Sequence, residues 1–294
     1  MKPAPFRYHD PSTVAEAVSL LAALENAKVL AGGQSLGPML NLRLVMPDHV
    51  VDVNRIDALA GIRVNPDRVT IGAMTRQRAI ERTDALHAVM PILREALAEV
   101  GHFQTRNRGT IGGSLCHLDP AAELAGIAAL YGAEFAATGP AGGRRIAADA
   151  WVAGYMTPAL EPGELLTGIE FPLWREPHGH AFLEFARRRG DFAIAGVGAL
   201  VALDGNGAIA RAALSVIGVG YVPLRLVIAE AALHGARPDA DAFAAAAAAL
   251  DPVEAIEDVH ASGGYRKRIA KVLVARALTL AVERANRAKG AARG

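Results

Sequence analysis

The chain has 294 residues, 52% of them hydrophobic, with 31 Lys plus Arg set against 30 Asp plus Glu, so neither nucleic acid nor an anionic membrane is an electrostatically favoured partner. That length can bury substantial cores and suggests about two domains. The single cysteine, Cys116, excludes an internal disulfide and a self-contained Cys-ligated iron–sulfur cluster, and no stretch approaches the ~20 apolar residues of a membrane span or forms a signal-peptide core, so a cytoplasmic protein is expected.

Thr13 and Glu16 have capping-box spacing ahead of the stripe Val14, Val18, Leu21 and Leu24, which predicts a helix over residues 14 to 25. Lys28-Val29-Leu30-Ala31 then reads as a short buried strand running into Gly32-Gly33-Gln34-Ser35-Leu36. Residues 49–53 and 68–73 are β-like, and Thr75 is placed to cap a following helix. Helical periodicity runs from Asp84 to Val100 with an interruption at Pro91. A second glycine stretch, Thr110-Ile111-Gly112-Gly113-Ser114, follows, and Asp119-Pro120 suggests the start of another helix with Asp119 as N-cap. Strands are expected at 133–138 and 165–171, and proline and charge gather through residues 172–178, the expected domain boundary. Beyond it, β-like runs fall near 180–188, 193–203 and 208–217, with Asp204-Gly205-Asn206-Gly207 as a hairpin turn. Helices are expected at 240–250 and 266–287.

The two Gly-Gly stretches each pair small residues with a hydroxyl or amide, a composition that lets backbone N–H groups approach phosphate oxygens; an isolated Gly-Gly is otherwise a tight turn. Neither has the form G-x-x-x-x-G-K-[ST], and neither continues as G-x-G-x-x-G, so nucleoside-triphosphate and Rossmann readings lose support. Gly196-Val197-Gly198 and Gly218-Val219-Gly220 lack the third glycine. His178-Gly179-His180 specifies no third metal ligand, and no nucleophile elbow is present, so no metal site and no catalytic side chain are assigned.

Together with the flanking Gly37–Leu44 and Gly101–Leu124 segments, Glu161-Pro162-Gly163-Glu164, Arg188-Arg189-Gly190-Asp191-Phe192-Ala193 and Gly264-Tyr265-Arg266-Lys267-Arg268, these stretches resemble the FAD-binding medium subunit of the molybdenum hydroxylases over nearly the whole chain. The resemblance implies an α+β fold, with an FAD-binding region of two α/β subdomains over residues 1–176 and a smaller domain of antiparallel sheet and helices over residues 177–294. It further implies noncovalent FAD held by Ala31, Gly32, Gly33, Gln34, Ser35 and Leu36 and by Thr110, Ile111, Gly112, Gly113 and Ser114. His117, Asp119 and Glu123 fall where members approach the flavin's hydroxyl-bearing chain, although Glu123 stands where Asp is common and Asp119 is equally suited to an N-cap. Leu166 matches an apolar position near the flavin, and Phe192 either covers the ring or fills a sheet core. Arg106 and Arg108 offer a counter-charge or pair with protein carboxylates. Several members carry a lysine in the segment aligned with residues 182–185, where this chain has none.

The implied function is electron transfer: a large subunit with a molybdopterin cofactor oxidises substrate, a small subunit carries two [2Fe-2S] clusters, and FAD in this chain passes electrons to an external acceptor, the whole as a dimer of heterotrimers. A stand-alone FAD oxidoreductase would instead be reduced by substrate without partners. A non-catalytic nucleotide-binding assembly module would purify without a flavin spectrum.

Overall fold

The computed structural model describes residues 1–291, which fall into two compact units, each assembled from separate stretches of chain. The first comprises Met1–Leu86, His102–Leu118 and Ala133–Phe171; the second comprises His87–Gly101, Asp119–Gly132 and Pro172 onward.

The first unit carries two main sheets. The smaller is parallel throughout, in the order Arg7–His9, His49–Asp52, Ala27–Leu30, with Leu30 opposite Asp52. Helix Val14–Ala23 buries Ala17 and Val18 beside Val51 and Val53. Its cap differs in one detail from the sequence pattern. Thr13 Oγ1 accepts from Glu16 N as expected, but the Glu16 carboxylate reaches one residue further back, to Ser12 N at 2.8 Å. The larger sheet has the order Ile62–Val64, Arg68–Gly72, Leu165–Pro172, Glu134–Gly139, Gly142–Ala147. Beside it Trp151 stacks on Phe135, with ring centroids 4.0 Å apart, and donates from Nε1 to Leu115 O at 3.0 Å. That bond satisfies the one polar atom of a buried indole and pins helix Ile111–His117 to the core.

Thr75 does not cap a helix. Its buried hydroxyl donates to Gly61 O and accepts from Gly61 N, and helix Gln77–Arg82 begins after Arg76 with no side-chain cap. A buried hydroxyl needs partners inside the protein, and Gly61 supplies both.

In the second unit four antiparallel strands run in the order His178–Phe185, Ala195–Leu203, Ile209–Ile217, Leu224–Arg225. The strand Ala195–Leu203 is buried on both faces down to Ala202. On one face Ala195, Val197, Ala199 and Val201 join a core with Phe243, Leu273, Val274 and Leu278, contributed by helices Ala240–Ala248 and Gly263–Ala291. The long helix crosses the first strand backbone to backbone, since a Cβ at Gly179 would overlap Ala281 O. On the other face lies helix Glu123–Tyr131: a Cβ on Gly198 would come 3.1 Å from Leu130 Cδ2, and one on Gly126 2.7 Å from Ile217 Cγ2. Gly198 therefore serves close helix-on-sheet packing, while Gly196 makes room for the side chain of Ile217 on the neighbouring strand, 2.8 Å from where its Cβ would lie.

Asp119 does not cap this helix. The helix starts at Glu123 with Ala122 at the cap, while Asp119 Oδ1 accepts from Ala121 N at 2.8 Å in a local turn. The hairpin at Asp204 forms as its sequence predicts, with Asp204 Oδ1 accepting from Asn206 N and Ala208 N and with Gly207 at φ +85°. The helix from Asp84 breaks at Pro91 into Asp84–Val89 and Ile92–Glu99. In the C-terminal motif, buried Arg266 donates from Nη1 to Ile194 O at 3.0 Å and Gly218 O at 2.8 Å, and from Nη2 to Asp258 Oδ2 at 2.7 Å. Glu95 ties three elements of the unit, accepting from Phe182 N and from Arg284 Nη1 and lying 3.4 Å from His180 Nε2. No helix among the described residues is long and apolar enough to cross a membrane.

Candidate functional site

The first glycine stretch leaves the carboxyl end of strand Ala27–Leu30, beside the carboxyl end of its parallel neighbour His49–Asp52. In α/β sheets that edge is where ligands bind. Gly33 has φ +72°, a conformation that costs any other residue strain. The turn spends its acceptors inside the protein: Gly37 N donates to Gly33 O, Met39 N to Ser35 O, and Gln34 Nε2 to Gly32 O. Its donors stay unspent, because the N–H groups of Gly33, Gln34, Ser35 and Leu36 meet no acceptor among the described residues. Ser35 precedes helix Leu36–Asn41 and its side chain makes no capping bond. Consecutive free N–H groups around a positive-φ residue are the donor set of an anion nest.

The second stretch is built differently from its sequence reading. Thr110 to Ser114 do not form an open loop; Ile111–His117 is a helix and Thr110 is its N-cap. Every N–H from Ile111 to Ser114 is engaged: Ile111 N with Thr75 O, Gly112 N with Ala73 O at 2.8 Å, Gly113 N with Thr110 Oγ1 at 3.1 Å, and Ser114 N with Thr110 O. Gly112 is needed for packing, since a Cβ there would lie 2.6 Å from Ala73 O. The two stretches nevertheless meet. A Cβ on Gly32 would fall 2.8 Å from Gly109 Cα and closer still to Arg108 O, and one on Gly113 3.5 Å from Ala31 Cβ.

Two residues that sequence reasoning missed join this junction. Asn54 Nδ2 donates to Ala31 O at 2.8 Å, and Arg76 Nη2 donates to Asn54 Oδ1 at 2.6 Å while Arg76 Nη1 donates to Arg108 O at 2.5 Å. Asn54 could have been found from the parallel-strand pattern, because it follows His49–Asp52 just as the glycine turn follows Ala27–Leu30. Arg76 carried no such signal. Burial, and then the like charge of Arg108, hold the Arg76 guanidinium below its ordinary pKa. Neither Arg76 nor Arg108 has a carboxylate within 4 Å among the described residues, whereas buried Arg106 pairs with Glu81 at 2.9 Å and is spent within the protein. Unspent N–H groups in the same junction as two guanidiniums that make no ion pair fit a diphosphate.

Of the other expected site residues, Leu166 is buried within its strand opposite Ala137, and His117 ends the helix of the second stretch. The Cys116 thiol on that helix is pushed up to about 12 by burial, which makes it a poor nucleophile. Asp119, Glu123 and Phe192 belong to the second unit. Glu123 opens its helix, where a carboxylate complements the N-terminal dipole. Phe192 lies in the connection between strands His178–Phe185 and Ala195–Leu203 and is 76% exposed, which rules out a sheet-core role. In strand His178–Phe185, Glu184 is raised to about 9 by burial and then by the charges of Glu123 and Glu99, and its Oε2 is buried without a hydrogen-bond partner. This side chain is neutral at pH 7.

Both halves of the chain match described families. Residues 4–174 match the FAD binding domain in molybdopterin dehydrogenase, and residues 180–281 match the CO dehydrogenase flavoprotein C-terminal domain. The chain belongs to the family of FAD-binding medium subunits of molybdenum hydroxylases. It is 39% identical to the 6-hydroxypseudooxynicotine dehydrogenase complex subunit alpha of Paenarthrobacter nicotinovorans, covering 98% of each chain. Identity to the carbon monoxide dehydrogenase medium chain of Afipia carboxidovorans is 38%, covering 97% of this chain and 99% of the relative. Among solved structures, a chain of carbon monoxide dehydrogenase from Hydrogenophaga pseudoflava superposes with a TM-score of 0.94 at 37% identity, covering 97% of this chain and 99% of that one. A chain of quinoline 2-oxidoreductase from Pseudomonas putida 86 gives 0.91 at 33% identity, covering 97% and 99%.

Proposed function

We propose that this chain is the FAD-binding electron-transfer subunit of a cytoplasmic molybdenum hydroxylase, receiving electrons from [2Fe-2S] clusters of a small partner subunit and delivering them to an external acceptor. The observation that carries this reading is the junction of the two glycine stretches, where four unspent N–H groups and two arginines without an ion pair gather. When bound, FAD supplies the redox chemistry. The chain's own residues bind and orient it. Gly33 to Leu36 would donate to phosphate oxygens, while Gly32, Gly112 and Gly113 allow the close approach of chain segments that builds the cradle, together with Ala31, Thr110, Ile111 and Ser114. The same reading assigns His117, Asp119 and Glu123 to the ligand's hydroxyls, and Leu166 and Phe192 to the ring. We keep residues 1–176 and 177–294 as the functional division of the chain.

The partners in this reading are a large subunit holding the molybdopterin cofactor and the small iron–sulfur subunit, assembled as a dimer of heterotrimers. Native co-purification followed by cofactor analysis tests it. The expected result is about one FAD per chain, released intact on denaturation, with both partners present and flavin reduction by substrate only when the iron–sulfur subunit is retained. Substrate reduction of the isolated chain would overturn the subunit role, and flavin retained on the denatured polypeptide would overturn noncovalent binding.

A further inference from the structure

Arg76 holds an unusual position. Its guanidinium is half-buried and anchored at two points, on Arg108 O and Asn54 Oδ1, and each anchor touches the first glycine turn: Asn54 donates to Ala31 O, and Arg108 O abuts Gly32. The two bonds use only part of its five donors. No ion pair neutralises it. The charge of Asp52 reaches Arg76 from beyond ion-pair distance, its oxygens held by Tyr8 Oη at 2.6 Å and Asn54 N at 2.9 Å, and like-charged Arg108 acts on Arg76 in the opposite sense. Two guanidiniums set against the single carboxylate of Asp52 leave the cluster net positive, a charge that an anion completes.

We propose that Arg76 is the positioning residue of the cradle: it fastens the Arg108–Gly109 chain to the Ala31–Gly32 turn and presents its charge to the diphosphate of a dinucleotide, selecting phosphate-bearing ligands over the flavin ring alone. The inference rests on the FAD reading above. A planar fork satisfies two acceptors and still faces an anion; a lysine ammonium at the end of a flexible stem does not hold the same geometry.

The test uses the full chain stripped of flavin, with FAD, ADP and riboflavin as probes. ADP carries the diphosphate without the flavin, and riboflavin the reverse. Arg76→Met is expected to weaken FAD and ADP by about tenfold or more, the scale of a lost charge-assisted bond, and to leave riboflavin unchanged. It is also expected to flatten the salt dependence of FAD binding and to abolish the rise in apo-protein Tm that pyrophosphate gives the wild type. Arg76→Lys is expected to fall between, keeping part of the salt dependence while losing ADP affinity. Unchanged FAD and ADP affinity in folded Arg76→Met would overturn the proposal, as would an equal loss for ADP and riboflavin, which marks a merely structural side chain. If Arg76→Met does not fold, Arg76→Lys decides: wild-type ADP affinity overturns the positioning role, and selective loss of ADP supports it. A wild-type chain that binds neither FAD nor ADP would refute the flavin reading itself.

Discussion

Gly32 stands so close to the carbonyl of Arg108 that the two glycine-bearing stretches touch backbone to backbone, with no room for even a methyl group. Its neighbour Gly33 is different: its surroundings are open to a Cβ, the nearest atom being Leu30 Cδ1 at 3.4 Å, but its φ of +72° is hostile to one. Gly32→Ala is therefore expected to push the stretches apart, costing about 1–3 kcal/mol and most of the FAD affinity. Gly33→Ala is expected to cost about 1 kcal/mol through backbone strain, and Gly33→Asn less, since Asn tolerates the left-handed region. Flavin titration together with urea unfolding of the three variants checks this; equal behaviour of Gly32→Ala and Gly33→Ala would refute the distinction.

Glu184 gives a pH signature. Its folded-state pKa is raised from 4.5 to about 9, so the folded chain binds this proton more tightly than the unfolded chain. The contribution to stability is fully present below the unfolded value and declines as pH rises through the interval up to about 9. Glu184→Gln, neutral at every pH, is expected to raise Tm at pH 8 by at least ~2 °C and to converge with wild type near pH 5. Parallel Tm profiles across that range would contradict the assignment.

Arg266 in the C-terminal motif is a staple, its guanidinium bonded to Ile194 O, Gly218 O and Asp258. Arg266→Met leaves the carbonyls of Ile194 and Gly218 without their donor, at a cost of about 2–4 kcal/mol in urea unfolding. Arg266→Lys is expected to recover only part of it, because one ammonium does not reach both carbonyls and Asp258 with the fork's geometry. A shift below ~0.5 kcal/mol for Arg266→Met would show that water replaces the guanidinium.

Phe192 is the converse case. At 76% exposure it contributes little to the core, so Phe192→Ala is expected to change stability by less than ~0.5 kcal/mol. Loss of a ring packed on the flavin is expected to alter the absorption spectrum or potential and to slow electron passage to the acceptor. The check is a variant assembled with its partners, with cluster and flavin reduction followed separately; unaltered flavin properties would leave Phe192 without a role at the ring.

Much of this fold was legible in the sequence, for local reasons. Thr13, Asp204 and Pro91 act within a few residues of themselves, and their cap, hairpin turn and helix break form where the pattern puts them. What escaped was set by distant partners. Thr75 binds Gly61 and not the adjacent helix, and Gly198 is small because Leu130 of a helix lies over it, Gly196 because Ile217 of the next strand does. In the candidate site, the glycine stretches suggested a phosphate cradle by composition. Their unequal roles did not show, because the N–H groups of Ile111 and Gly112 are spent on Thr75 and Ala73, more than thirty residues away in sequence. Asn54 and Arg76 lack any local motif and become visible only once parallel strands bring their chain ends together.

The helices Ile92–Glu99 and Glu123–Tyr131 come from early in the chain yet belong to the compact unit built on the last four strands. A protease cut or a truncation near residue 176 would leave the later piece without its Gly126-bearing cover, baring Ile217 and Phe182 beside Gly196 to water. Such a fragment is expected to aggregate or stay molten when made alone and to regain structure when the earlier piece is supplied in trans. The two halves named by sequence are thus complementary parts of one folding problem, and shuffling them between relatives requires that the two early helices travel with the late sheet.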